Sequence, residues 1–108
     1  MAILAPEIES KALAGVRTLS KFAPVRAAYV FGSQVEGRAD RWSDIDLAAF
    51  MDGVENWGMM RRADVMATVM DEAGIDVEAH LFPASSFENP LQGSFAQYIM
   101  QHGVRIQG

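Results

Sequence analysis

The residue types able to do chemistry gather in one stretch of this 108-residue chain. Tyr29-Val30-Phe31-Gly32-Ser33 leads, and after ten intervening residues Asp44-Ile45-Asp46-Leu47 follows. Two carboxylates two positions apart on an extended strand project to the same side, about 7 Å apart. At that spacing they can bracket metal ions that lie about 3.5–4 Å from one another. Hard cations such as Mg2+ take carboxylate oxygens of this kind. Ahead of them, Gly32 lets the backbone approach a phosphate oxygen closely. A short helix starting at Ser33 aims its amides and its dipole at an anion, and the Ser33 hydroxyl can donate to a β- or γ-phosphate. The combined expectation is the handling of a metal-bound triphosphate, with Arg38 and Arg41 in the intervening loop adding positive charge. A lone Gly-Ser is usually a turn, and a lone Asp-x-Asp is usually a solvated strand edge. Both at this spacing, each behind an apolar strand, form a far more specific signal.

These residues need elements to position them. Pro6 suits the first turn of a helix, and Ile8, Ala12, Val16, Leu19 and Ala23 recur at helical spacing, which predicts a helix over roughly 7–22. Val25–Phe31 reads as a buried strand bounded by Pro24 and Gly32. Ser33 is placed as the N-cap of a short helix, with Glu36 completing a capping box and Gly37 ending it. Residues 44–51 alternate, with Ile45, Leu47 and Ala49 on one face and Asp44, Asp46 and Ala48 on the other. Met59, Ala63, Met66, Met70 and Ala73 form an apolar stripe that predicts a helix ended by Gly74. Ile75–Phe82 alternates again and places Asp76, Glu78 and His80 on one face. Asn89-Pro90 reads as a cap and first turn of a last helix, with Leu91, Phe95, Tyr98, Ile99 and His102 on one side. Val104–Ile106 adds a short edge strand. The order predicts a two-layer α/β (α+β) domain with a small mixed sheet of three to four strands and helices packed on it.

Bulk composition narrows the partners. The length is that of one domain, 1–108, and half the residues are apolar, enough for a core. There are no cysteines, which excludes disulfides and thiolate metal sites. Nine Lys and Arg stand against fourteen Asp and Glu, for a net charge of -5. A protein that binds duplex nucleic acid needs basic residues to displace counterions, so nucleic acid is not expected as a partner. No apolar run approaches the roughly 20 residues of a membrane helix, and the first residues carry no signal-peptide pattern. The expectation is a cytoplasmic protein that engages no membrane.

Phe31-Gly32-Ser33, Gly37 and Ser43-Asp44-Ile45-Asp46-Leu47 together resemble the signature of the polymerase β-type nucleotidyltransferase superfamily. More narrowly, they resemble its minimal nucleotidyltransferase (MNT) proteins. The tail His80-Leu81-Phe82, Phe87-Glu88-Asn89-Pro90 and Gly103-Val104-Arg105-Ile106 is also similar to that family's ending. The resemblance implies a palm-like fold, Gly32 and Ser33 on the triphosphate, and Asp44 and Asp46 as Mg2+ ligands. It further implies a third acid on a later strand, acting as general base or completing the metal site. Glu78 is favoured because it precedes Ala79-His80 in the family manner, and Asp76 is the alternative. Many relatives have Arg directly after Gly-Ser where this chain has Gln34, which weakens the expected grip on phosphate.

Other residues have plainer readings. His80 reads as a polar neighbour of the site rather than a ligand. The methionines read as core filler, Phe95 and Tyr98 as core, and Arg61 and Arg62 as a solvated helix face. Trp57-Gly58-Met59-Met60 is a possible exposed patch for a partner.

Three functions follow as expectations. The first is an Mg2+-dependent enzyme that moves a nucleoside monophosphate, AMP from ATP or its counterpart from another NTP, to a hydroxyl acceptor. By resemblance the acceptor is a tyrosine of a HEPN-domain partner in a toxin–antitoxin pair, and a homodimer is another way to complete the cleft. The second is an antitoxin-like binding module that neutralises a partner protein with little catalysis. The third, extension of a nucleic acid, is disfavoured by the acidic charge.

Overall fold

The computed structural model describes residues 4–37 and 43–108. Helix α1 (Pro6–Leu19) leads into strand β1 (Val25–Phe31), the short helix α2 (Ser33–Glu36) and strand β2 (Ile45–Met51). A 3-10 turn (Val54–Asn56), helix α3 (Met59–Ala73) and strand β3 (Val77–Pro83) follow. Two shorter helices, α4 (Ala84–Glu88) and α5 (Phe95–His102), and strand β4 (Val104–Gln107) complete the order. The four strands form one mixed sheet in the order β3-β2-β1-β4. β1 runs antiparallel to both β2 and β4, and β2 runs parallel to β3. A parallel pair requires a long crossover, and α3 supplies it. The α/β class and the small mixed sheet agree with the sequence reading, but the layers are three rather than the expected two, because α4 and α5 cover the face opposite α1 and α3.

Strand alternation divides the core in two. Ala28, Val30, Ile45, Leu47, Ala49, Met51, Val77 and Ala79 point to the face covered by α1 and α3. Ala27, Tyr29, Phe31, Ala48 and Phe50 point to the opposite face, against Ala96 and Ile99 of α5 with Phe82, Phe87 and Met100 around them. Gly15 lets α1 lie directly on β2, since a Cβ there would stand 2.8 Å from Leu47 Cδ2. Among the described residues no helix is long and apolar enough to cross a membrane.

Several local expectations are corrected. α1 ends at Leu19, and Ser20–Ala23 continue only as turns bonded back to Val16, Thr18 and Leu19. The core stripe of α3 is Val65 and Val69, flanked by Met66 and Ala73, because the helix is rotated from the methionine stripe. Met59 and Met70 are exposed, and Met60 joins them at the surface. Arg62 is no solvated side chain: its guanidinium donates to the carbonyls of Val54, Trp57 and Leu81 and ties the 3-10 turn to β3. Arg61 lies over the Trp57 ring. Asn89 ends α4, a helix the sequence reading missed, instead of opening the last helix. Ser94 is the N-cap of α5 and accepts from the Gln97 amide, leaving Leu91 exposed outside the helix. Phe95 and Tyr98 are about half exposed rather than core, because Ala96 and Ile99 occupy the buried face.

Candidate active site

Register carries two distant acids to one place. Asp46, the second residue of β2, pairs across the sheet with Phe31 of β1 on one side and Glu78 of β3 on the other. On β3 the side chains of Glu78, His80 and Phe82 fall on the same face as Asp46. One ligand atom each from Asp46, Glu78 and His80 all lie within 4.8 Å of one another. His80 Nε2 is 3.2 Å from Asp46 Oδ1 and 3.8 Å from Glu78 Oε1. Edge-on contact with Phe31, at 5.0 Å between ring centroids, holds the imidazole from beneath. Among the described residues this is the group of three such side chains close enough to share an ion. Two carboxylates and an imidazole converging at that distance are a donor set that fits a divalent cation.

The turn after β1 is built against this cluster. Gly32 has φ +81 and ψ -148, a conformation essentially reserved for glycine. A Cβ on Gly32 would stand 2.5 Å from Asp46 Oδ2, so the missing side chain is also what admits the carboxylate. Gly32, not Ser33, is the N-cap of α2, and the amides of Val35 and Glu36 donate to its carbonyl. The expected capping box is absent. Instead the Glu36 carboxylate accepts from the Tyr98 hydroxyl at 2.8 Å, which fastens α2 to α5. With four residues, α2 has only a small dipole. Ser33 is its first residue and is followed by Gln34, whose side-chain amide donates to the carbonyls of Ser43 at 3.3 Å and Asp44 at 3.4 Å. Gln34 therefore ties the two halves of the motif together.

The structure brings together Gly32, Asp46 and Glu78, with Ser33 next in the chain. Asp44 precedes the strand by one residue, is exposed and is not part of the three-residue cluster. Asp76 departs from its expected position, because β3 begins only at Val77. Both Asp76 carboxylate oxygens accept from Lys11 Nζ, at 2.9 and 3.1 Å, in the turn that leaves α3. Ile75, expected on the inner face of that strand, is exposed in the same turn. Arg38 and Arg41 lie outside the described residues. His80 stands where the alternation of β3 places it, on the face of Glu78 and as a polar neighbour of Asp46.

Beside the cluster, an open groove of about 430 Å3 is lined by Phe82, Ser85, Ser86, Asn89, Leu91 and Phe95. The Phe95 ring stands 6.5 Å from His80 and 5.4 Å from Phe31, so the groove and the acids share a wall.

The model of the family "Polymerase beta, Nucleotidyltransferase" matches residues 16–106. No curated protein matches the sequence. Among solved structures, the chain is similar to a candidate nucleotidyltransferase from Sulfolobus solfataricus, at 19% identity and a TM-score of 0.52, over 82% of this chain and 83% of that one. At that identity the likeness concerns the fold. The family match takes in β1, the Gly32-Ser33 turn, both aspartates and the Glu78–His80 strand, and it spans most of the chain: this protein belongs to the polymerase β nucleotidyltransferase family.

Proposed function

We propose that this chain transfers a nucleoside monophosphate, AMP from Mg·ATP, to a hydroxyl acceptor and releases pyrophosphate. The observation that carries this reading is the convergence of Asp46 and Glu78, with Asp46 seated against a glycine turn that only a missing side chain makes possible. Asp46 and Asp44 would hold the divalent cation that the family generally uses, here Mg2+, which when bound would neutralise phosphate charge and lower the pKa of the attacking hydroxyl. The backbone at Gly32 and the Ser33 hydroxyl hold the triphosphate, and Gln34 keeps that turn in register with Asp44. The acceptor oxygen bonds to the α-phosphorus as the bond from that phosphorus to the pyrophosphate oxygen breaks. One Glu78 oxygen takes the hydroxyl proton.

The acceptor approaches along the groove lined by Phe82 and Phe95. On β3 the order Phe82, His80, Glu78 makes a molecule arriving from the groove meet His80 before Glu78 and its cross-strand partner Asp46. An aromatic acceptor such as a partner's tyrosine suits that lining. A HEPN-domain protein is the proposed partner and the cytoplasm the proposed setting, with a second copy of the chain as another way to complete the cleft. Calorimetric titration of ATP, with and without Mg2+, tests the reading. Wild type should bind in an Mg2+-dependent manner, and the Asp44→Asn/Asp46→Asn double variant should not. Binding that ignores both the metal and the double substitution would sink the proposal.

One observation favours a second reading, that of a protein-binding module. Met59 and Met60 are 85% and 80% exposed beside Trp57 at the start of α3, away from the acids. Partner capture and neutralisation that both survive Asp46→Ala would favour it. Loss of neutralisation in that variant would favour the enzyme.

A further inference from the structure

The family's chemistry accounts for the carboxylates of the cluster but leaves the imidazole unexplained. His80 is half-buried on β3, fixed by Phe31 beneath it, and its Nε2 points between the two acids. In a tetrahedral site with metal–ligand bonds of about 2.0–2.2 Å, neighbouring ligand atoms stand about 3.3–3.6 Å apart. The separations from His80 Nε2, 3.2 Å to Asp46 Oδ1 and 3.8 Å to Glu78 Oε1, bracket that range. Glu78 is exposed, so its side chain can adjust to close the remaining edge, which already lies within 4.8 Å.

We propose that His80 Nε2 is a direct metal ligand, and that Asp46, Glu78 and His80 form a mixed nitrogen–oxygen site that prefers a first-row transition-metal dication to Mg2+. The inference rests on the reading above in placing a divalent cation at Asp46. The chemistry follows from ligand type. Mg2+ demands near-octahedral oxygen coordination and sheds water reluctantly. Imidazole suits the later divalent metals, whose affinity for nitrogen–oxygen sites rises along the Irving–Williams order. Mg2+ then arrives with the triphosphate, while the position held by the protein between Asp46 and β3 takes the softer ion. Exposed Asp44 lies outside the cluster and remains available to the nucleotide-borne ion.

The test uses the full chain and the metals alone. Co2+ is titrated while its visible absorption is followed, and Mg2+ binding is measured by calorimetry, on wild type, His80→Gln and Asp46→Asn. The chain has no cysteine, so visible bands owe nothing to thiolate. Wild type should bind Co2+ at least about tenfold more tightly than Mg2+, and His80→Gln should lose most of that preference while keeping its Mg2+ affinity. A Co2+ spectrum and affinity unchanged in His80→Gln would overturn the proposal and leave the nucleotidyltransferase reading intact. Failure of wild type to bind Co2+ while it binds Mg2+ would overturn the proposal alone, and failure to bind either ion would also count against a divalent cation at Asp46. A measurement without any variant stands beside these. Mn2+-loaded wild type should show 14N coupling in pulsed electron paramagnetic resonance, and its absence would also overturn the proposal. The only other histidine, His102, lies against Tyr98 on α5, so His102→Gln should retain the coupling.

Discussion

The two faces of the sheet are built from the same strands and do different work. Toward α1 and α3 the residues are small and aliphatic, and Leu19, Leu47, Ala49, Val69 and Val77 are all fully buried. Toward α4 and α5 they are aromatic, with Phe50 edge-on to Tyr29 and stacked on Phe82. The covering elements differ too. Helices of fourteen and fifteen residues seal the first face, while helices of five and eight cover the second. The shorter helices leave Asp46, Glu78 and His80 accessible. Because side chains alternate along a strand, Leu47 belongs to the sealed face and Asp46, its neighbour, to the open one. A chain of this length can therefore hold a core and a charged site one residue apart without burying a charge.

The largest expected effect sets these two neighbours against each other. Asp46→Asn should lower nucleotidyl transfer on the order of a thousandfold, as loss of a principal electrostatic group does. Its denaturation midpoint should stay near that of wild type. Leu47→Ala should do the reverse, costing about 2–5 kcal/mol by urea denaturation while the folded fraction keeps its affinity for metal and nucleotide. If Asp46→Asn proves as destabilising as Leu47→Ala, the division between the faces is wrong. Gly32→Ala comes next. It forces an alanine into a glycine conformation and a Cβ against Asp46, at about 1–3 kcal/mol. Unlike either neighbour, it should impair both stability and nucleotide binding, because it sits where the two faces meet.

A smaller effect concerns acid. The Glu72 carboxyl is held below its ordinary value by the Thr18 hydroxyl first and Lys21 second, although partial desolvation opposes them. Asp52 is held down by its hydrogen bonds from Arg26. A depressed folded value means stability that is fully present above the unfolded value and lost as pH falls through the folded one. Stability should therefore begin to decline below pH of about 4.3, and Glu72→Gln should flatten the decline as measured by thermal melts at stepped pH. The smallest effect separates two acids that sequence alone leaves as alternatives. Asp76→Asn removes an exposed ion pair with Lys11 and should cost less than about 1 kcal/mol, with transfer unchanged, whereas Glu78→Gln should impair transfer.

What was legible in the sequence follows from which signals are local. β1 and β2 could be read because period-two alternation and the flanking Pro24 and Gly32 are local facts, and the Gly32-Ser33 turn with the aspartates beyond it came with them. The rotation of α3 could not. Methionine and valine both suit an apolar stripe, and only packing into the core shared with α1 and the sheet decides that Val65 and Val69 face inward. The boundary of β3 was misjudged for a similar reason. Ile75 and Asp76 extend the alternation, but the Ile45 amide already bonds to the Asp76 carbonyl where the strand begins, and Lys11 captures the Asp76 carboxylate. α4 was missed because Ala84-Ser85-Ser86-Phe87-Glu88 is too short to show periodicity. The pairing of Glu78 with Asp46 is a matter of register between strands 32 residues apart, which no local pattern carries.

The placement of β4 bears on how the chain acquires its site. β1, which leads into Gly32, is made well before β4, yet one of its edges is closed only by β4. The Gln107 side chain reaches the Val25 carbonyl across 82 residues of sequence. The Glu36–Tyr98 bond spans another 62. Contacts this distant slow folding, since the loop must close before the contacts stabilise it. During synthesis the Gly32-Ser33 turn and the aspartates leave the ribosome well before the segment that locks them, with the second edge of β1 open to other strands. Activity should therefore lag the appearance of the motif, and arrive only once Val104–Gln107 has emerged and docked.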